Sequence, residues 1–188
     1  MIRVLIVDDH PVVREGLARL LAEAGIEVVG AVGDGEEGVR LAAERGPDLV
    51  LWDLAMPNGG VAGLARLRTA VPGCRVLVIT ALDDPWLAAE VARAGADGFL
   101  AKCSSPDDLI ETIRDCVHGR CRLPPPPALT PREEEVFALL SQGFPNREMA
   151  RHLGISVKTV ESHLERLKEK LGCGSTFELR ARALRRGG

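Results

Sequence analysis

The sequence predicts an α/β domain built on a five-stranded parallel sheet, followed by a smaller all-α domain. Three observations predict it. In the first hundred and twenty residues, short β-type runs alternate with amphipathic helical runs at close spacing, the pattern of right-handed βαβ units. One of these runs, Leu49 to Trp52, is apolar at every position, as a strand covered by helices on both faces must be. From Leu129 onward the β-type runs stop and four helical segments follow, three of them opened by a capping residue.

Charge divides the chain at nearly the same place. Residues 1–120 carry 12 Lys or Arg against 19 Asp or Glu, net −7, whereas residues 121–188 carry 12 against 8, net +4. A length of 188 residues holds two small domains. We place them at 1–118 and 129–188, joined by 119–128, which contains four consecutive prolines, Pro124 to Pro127, and so favours a semi-rigid polyproline spacer. The basic second domain points to a nucleic-acid partner. Five cysteines, odd in number and without Cys-x-x-Cys spacing, argue against a disulfide framework or a zinc site and for free thiols in a reducing cytosol. No apolar run has membrane-spanning length, and the short apolar opening runs straight into two acids, so a cytoplasmic protein without membrane contact is expected.

The expected strands are Arg3 to Val7, Glu27 to Val32, Leu49 to Trp52, Arg75 to Thr80 and Gly98 to Ala101. Between them, Pro11 to Ala24 carries Val12, Leu17, Leu20 and Leu21 as its apolar face and closes at Gly25. Gly35 to Glu44, Leu64 to Val71 and Pro85 to Ala94 supply the next three helices. The fifth opens with Ser105, Pro106, Asp107 and Asp108, a capping serine, a proline that needs no amide hydrogen, and two acids at the positive end of the dipole; it runs to about His118.

Polar residues gather at the carboxyl ends of these strands, where open parallel sheets bind ligands. The first strand ends on Asp8 and Asp9, the third on Asp53, the fourth on Thr80, and the fifth is followed by Lys102. Three acids in one crevice repel unless a cation sits among them, and Mg²⁺, a hard ion that keeps waters and bridges to phosphoryl oxygens, suits them. A carboxylate nucleophile, a metal, a fixed ammonium and a hydroxyl donor are what phosphoryl transfer to an aspartate needs. His10 reads as loop surface rather than a ligand, because Mg²⁺ prefers oxygen.

Asp8-Asp9, Asp53-Leu54-Ala55-Met56-Pro57, Thr80-Ala81 and Gly98-Phe99-Leu100-Ala101-Lys102 resemble the motifs of the receiver domain of two-component response regulators. The resemblance implies a flavodoxin-like fold with Asp53 as phosphoacceptor. Asp8, Asp9, Asp53 and the carbonyl of Ala55 would hold Mg²⁺, Thr80 and Lys102 would contact the phosphoryl group, and Phe99 would be the aromatic switch that turns with Thr80. Two departures stand out: the stretch Asn58 to Gly63 is unusually rich in glycine, and Cys103 replaces a common proline.

In the second domain, Thr130-Pro131-Arg132-Glu133 is a capping box opening a helix with Val136, Phe137, Leu139 and Leu140. A short helix, Asn146 to Leu153, meets a tight turn at Gly154, and Ser156 caps a longer helix from Val157 to Leu171 with Val160, Leu164, Leu167 and Leu171 facing inward. Ser175 to Glu178 opens the last helix, with Phe177, Ala181 and Leu184 on one side. The pattern fits a helix-turn-helix or a plain three-helix bundle. Leu129 to Glu133, Asn146 to Ala150, Leu153 to Ser156, Lys158 to Leu164 and Lys170 to Gly172 resemble the LuxR-type output domain, and the two domains together resemble the NarL/FixJ family. On that basis Lys158, Glu161, Ser162 and Glu165 are expected at base edges, and Thr159, Arg166, Lys168 and Arg147 at phosphates. Phe177 and Leu184 are the expected dimer contact. Pro145 stands where the family commonly has a capping serine.

The sequence therefore predicts a transcriptional regulator that takes a phosphoryl group on Asp53 from a sensor histidine kinase, binds promoter DNA, and forms a homodimer when phosphorylated. It is expected not to be an enzyme with an external substrate. Glu161 and Glu165 keep open an alternative, a phosphorylation-gated interaction module that does not bind DNA; the acid cluster alone would also fit a metal-dependent hydrolase.

Overall fold

The computed structural model describes residues 1–81, 85–123 and 128–187, which fall into two compact units, 1–81 with 87–123 and 128–187. The prolines of the connection, Pro124 to Pro127, lie outside the described residues. Among the described residues, no helix is long and apolar enough to cross a membrane.

The first unit alternates strictly: β1 (Arg3–Val7), α1 (Pro11–Glu23), β2 (Glu27–Val32), α2 (Gly35–Arg45), β3 (Leu49–Asp53), α3 (Gly60–Ala70), β4 (Arg75–Thr80), α4 (Pro85–Arg93), β5 (Gly98–Ala101) and α5 (Pro106–Val117). All pairings are parallel, in the order β2-β1-β3-β4-β5. Strand order reverses between β1 and β3, which places a crevice at their carboxyl ends. Alternate residues of the central strands feed two cores. Leu5, Val7, Val50, Trp52, Val76 and Val78 pack with Leu64 and Leu67 of α3 on one side. Val4, Ile6, Leu49, Leu51, Leu77 and Ile79 pack with Leu21 of α1 and Leu109 and Ile113 of α5 on the other. Every residue of β3 is buried, Asp53 included.

The strands lie where the sequence places them, except that β3 extends one residue further to take in Asp53. The start of α3 differs more: it begins at Gly60 rather than Leu64, so part of the glycine-rich stretch is helix, held by burial of Leu64 and Leu67 rather than by a side-chain cap. Val12 is not on the inner face of α1; it is 82% exposed. It stands nine residues before the buried Leu21, and nine steps of a 3.6-residue helix end half a turn away. The expectation of free thiols fails for two cysteines. Cys116 and Cys121 form a disulfide, with Cα atoms 4.6 Å apart. The chain leaves α5 through Gly119, whose φ of +70° folds the following residues back, so a pair without any familiar spacing meets across a helix end.

The second unit contains α6 (Pro131–Ser141), α7 (Asn146–Leu153), α8 (Val157–Lys170) and α9 (Thr176–Gly187). Val136, Phe137, Leu140, Met149, Val160, Leu164, Leu167 and Leu171 form its core together with Leu179 and Ala183. The Thr130–Glu133 capping box is present, and Glu133, buried, also receives Lys170 Nζ at 2.7 Å, which ties the start of α6 to the end of α8. Pro145 gives α7 no side-chain cap. Arg180 of α9 anchors the segment that enters α7, donating to the Phe144 carbonyl (3.1 Å) and to Asn146 Oδ1 (2.5 Å).

Candidate phosphorylation site and nucleic-acid interface

Each strand end contributes one part of the crevice. Asp8 and Asp53 close β1 and β3, which are neighbours, and are only 3% and 2% exposed. Each turns its own chain out of the sheet: Asp8 Oδ1 accepts the His10 N–H (2.8 Å) and Asp53 Oδ1 the Ala55 N–H (3.2 Å). That leaves the second oxygen of each free to face Lys102, whose Nζ lies 2.8 Å from Asp8 Oδ2 and 2.8 Å from Asp53 Oδ2. Burial by itself would lower the Lys102 pKa, but the hydrogen bonds and charges of Asp53 and Asp8 outweigh it and hold the ammonium above the ordinary lysine value. Lys102 thus stays charged where an anion would arrive.

Thr80 is buried at the end of β4, one residue beyond the pairing of Asp53 with Ile79, and it pairs with Ala101, next to Lys102. Phe99 is partly buried against the core on the α3 side of the sheet. Ala55 is exposed in the loop after β3. Oxygens of Asp8, Asp9 and Asp53, with one ring nitrogen of His10, all lie within 4.8 Å of one another. Three carboxylates converging on one point are a hard-oxygen donor set that fits a divalent cation, and two of them are too buried to be balanced by water.

In the second unit, Gly154 takes φ +63° between α7 and α8, and Ser156 caps α8 by accepting the Thr159 N–H (3.1 Å). Val160, Leu164 and Leu167 are buried, which leaves Lys158, Thr159, Glu161, Ser162, Glu165, Arg166 and Glu169 exposed, with Arg147 exposed on α7. Lys168 is half-buried, its Nζ 2.7 Å from Glu165 Oε2. On α9, Phe177 is 81% exposed and Leu184 52%.

Two family models match the chain: the response regulator receiver domain over residues 4–114, and the bacterial regulatory proteins of the luxR family over residues 127–183. The chain is a two-component response regulator. It is 38% identical to the transcriptional regulatory protein UhpA of Salmonella typhimurium, covering 95% of this chain and 96% of that one. It is 33% identical to the nitrate/nitrite response regulator NarL of Escherichia coli, covering 93% and 91%. Among solved structures, RcsB of Salmonella enterica serovar Typhimurium, bound to a promoter in the presence of the phosphomimetic BeF₃⁻, superposes with a TM-score of 0.78 at 25% identity over 97% of this chain and 98% of that one. The response regulator therefore combines a receiver with a LuxR-type DNA-binding domain, and its relatives are transcriptional regulators.

The receiver's crevice brings Asp8, Asp9, Asp53 and Lys102 together and sets Thr80 beside them, while Phe99 lies on the sheet away from the acids. His10 is more involved than its sequence position suggests. Its Nδ1 lies 2.7 Å from Asp9 Oδ1 and 3.3 Å from Asp8 Oδ1. The turn that Asp8 makes through the His10 N–H swings the ring back over the acids, and that turn was the available signal. The glycine-rich stretch has a second role. Gly35 and Gly63 lie on either side of the Asn58 carbonyl, where a Cβ on either would intrude, and Arg66 donates to that same carbonyl (2.6 Å). Asn58 itself adopts φ +53° and donates to Asp34 Oδ2 (2.7 Å). The loop after Asp53 is thus pinned from α2 and α3.

Proposed function

We propose that the response regulator accepts a phosphoryl group on Asp53 from a sensor histidine kinase, dimerises in that state and binds promoter DNA. The observation that carries this reading is Lys102 Nζ at 2.8 Å from both Asp53 and Asp8 in a buried crevice. An Asp53 oxygen attacks phosphorus in line, the bond from phosphorus to the donor nitrogen breaks, and the leaving imidazole takes up a proton. Lys102 then exchanges its carboxylate contact for the phosphoryl oxygens, and the Thr80 hydroxyl donates to the same group. When bound by Asp8, Asp9, Asp53 and the Ala55 carbonyl, Mg²⁺ supplies positive charge to the equatorial oxygens. As Thr80 closes, Phe99 turns inward and the altered face favours the dimer.

Lys158, Glu161, Ser162 and Glu165 read bases, a glutamate accepting from cytosine N4, while Thr159, Arg166, Lys168 and Arg147 hold phosphates. Phe177 and Leu184 form the contact between output domains. The complex of RcsB with a promoter supports DNA as partner, and the structure of two RcsB dimers bound to two parallel DNAs supports the dimer. The alternative of a module that does not bind DNA is not favoured, since the relatives are transcriptional regulators. Chemistry is confined to the protein's own Asp53, in the cytoplasm, with no external substrate. Incubation with acetyl phosphate and Mg²⁺ tests the reading: intact mass should rise by one phosphoryl group in the parent and not in Asp53→Asn. An equal gain in the variant would overturn it.

A further inference from the structure

The receiver ends in a covalent clip. Cys116, in the last turn of α5, is fully buried; Cys121, five residues on and half-buried, is bonded to it. The surroundings are shaped for this pair. Gly119 reverses the chain at φ +70°, the Arg120 N–H donates to the Asp115 carbonyl (2.8 Å), and the Arg120 guanidinium pairs with the Asp115 carboxylate (2.7 Å). Beneath both sulfurs lies Gly98 of β5, where a Cβ would stand 2.6 Å from Cys116 Sγ and 3.2 Å from Cys121 Sγ. The clip sits where the last receiver helix gives way to the connection with the output domain.

We propose that Cys116 and Cys121 are a reversible dithiol–disulfide site whose oxidation shortens the tether between the receiver and the DNA-binding domain. The oxidant is a low-molecular-weight disulfide such as glutathione disulfide. The Cys121 thiolate, the more accessible of the two, attacks one of its sulfurs and releases one glutathione thiol, leaving a mixed disulfide. Cys116 then loses its proton and displaces the second glutathione as the Sγ–Sγ bond forms. Two electrons pass from the cysteine sulfurs to glutathione, and the two protons leave on its thiols. Reduction opens the bridge and frees residues 118–121. At about 3.1 to 3.6 Å per residue these residues can span about 12 to 14 Å, whereas the bridge holds the Cys116 and Cys121 Cα atoms 4.6 Å apart; the longer tether lowers the effective concentration of one domain near the other. The regulatory consequence rests on the proposed DNA-binding function; the thiol chemistry does not.

The full-length protein, carrying Cys103→Ser to prevent exposed-thiol crosslinks, is equilibrated across glutathione redox buffers, quenched with acid and alkylated. Intact mass should step by two alkyl groups between oxidising and reducing buffers, and peptide mapping should assign both to Cys116 and Cys121, with Cys74 and Cys173 constant. Tryptic cleavage after Arg120, read after reduction, should be about tenfold slower in the oxidised form. Cys121→Ser should be cut at the reduced rate in every buffer, which guards against Cys116→Ser failing to fold. Free thiols under excess glutathione disulfide, a bridge that persists under excess reductant, or equal cleavage rates would each overturn the proposal. Promoter affinity of the phosphorylated protein should differ about threefold between the two forms. Equal affinity with the thiol results intact would overturn the tether effect alone, and loss of all DNA binding would instead indict the proposed function.

Discussion

Gly16 and Gly35 are both helical glycines, and replacing each by alanine should have opposite effects on stability. Gly16 lies inside α1, is exposed, and a Cβ there meets nothing within 4 Å. Gly16→Ala therefore removes backbone freedom from the unfolded chain and should stabilise by about 0.5 to 1 kcal/mol. Gly35 opens α2 and donates its N–H to the Pro57 carbonyl (2.9 Å). A Cβ there would lie 2.8 Å from Gly59 N and closer still to the Asn58 carbonyl, so the obstacle is backbone. That carbonyl is held by Arg66 and the loop is tied to Trp52 through the indole N–H on the Gly60 carbonyl (3.2 Å), so the strain cannot be shed by one side-chain rotation. Overpacking of this kind costs about 1 to 3 kcal/mol. With a urea slope of about 2 kcal/mol/M, the midpoint should fall by about 1 M for Gly35→Ala and rise by about 0.3 M for Gly16→Ala. Urea unfolding followed by Trp52 emission in a Trp86→Phe background measures both. Phosphoryl uptake should slow only in Gly35→Ala, because the displaced loop follows Asp53. A midpoint for Gly35→Ala at or above the parent's would refute the claim that this loop is clamped.

Lys102→Met should cut phosphoryl uptake about a hundredfold or more. It also leaves two buried carboxylates without their ammonium, so added Mg²⁺ should raise its melting temperature more than the parent's. Asp97 is drawn two ways: burial raises its pKa, but hydrogen bonds from Arg75, the Val76 N–H and Arg68 lower it further, so the net shift is downward. A depressed folded-state pKa gives stability that is present above the unfolded value of about 4 and is lost as pH falls through the folded value. Asp97→Asn should therefore be less stable than the parent at pH 7, and the gap should narrow at about pH 3; a gap that widens on acidification would contradict the assignment. Lys168→Ala should flatten the salt dependence of DNA binding by less than Arg166→Ala does, because its ammonium must leave Glu165 to reach a phosphate. Arg166→Ala should flatten the slope of log K against log salt by about 0.9, as one lost phosphate contact requires.

Much of the receiver was legible because its signals are local and physically forced. A strand apolar on both faces can only be central, and the polar residues that follow such strands must share one crevice once the sheet is parallel. Asp8, Asp53 and Lys102 meet for that reason. The capping residues Ser105, Thr130 and Ser156 were likewise readable, since each satisfies amides within three residues of itself. What escaped was set by tertiary contact. Gly60 to Gly63 reads as loop by propensity, yet burial of Leu64 and Leu67 draws the helix back through it. Val12 was grouped with Leu21, nine positions away and buried, which lies on the opposite side of the helix. The Cys116–Cys121 bond depends on how the chain leaves α5, a turn that no cysteine spacing encodes.

The charges on α8 explain why control through a dimer would be effective. Of the cations expected at phosphates, Lys168 is taken by Glu165, and among the described residues Arg147 and Arg166, with Lys158 nearby, have no carboxylate partner. Among the same residues, Glu161 and Glu169 share the exposed face without an ammonium beside them and repel the phosphate backbone. On the proposed contacts, a single output domain would neutralise few phosphates and bind weakly at physiological salt. Two domains joined, as proposed, through Phe177 and Leu184 would double those contacts at high effective concentration, so occupancy would follow the dimer rather than the monomer. Phosphorylation would then have to supply only the few kcal/mol that shift the monomer–dimer equilibrium. More cations on α8 would raise the affinity of the monomer and weaken that control. Glu161→Lys should therefore bind DNA appreciably without phosphodonor, and a variant that still required the phosphoryl group for retardation would show that the acids are not what keeps the unmodified protein off DNA.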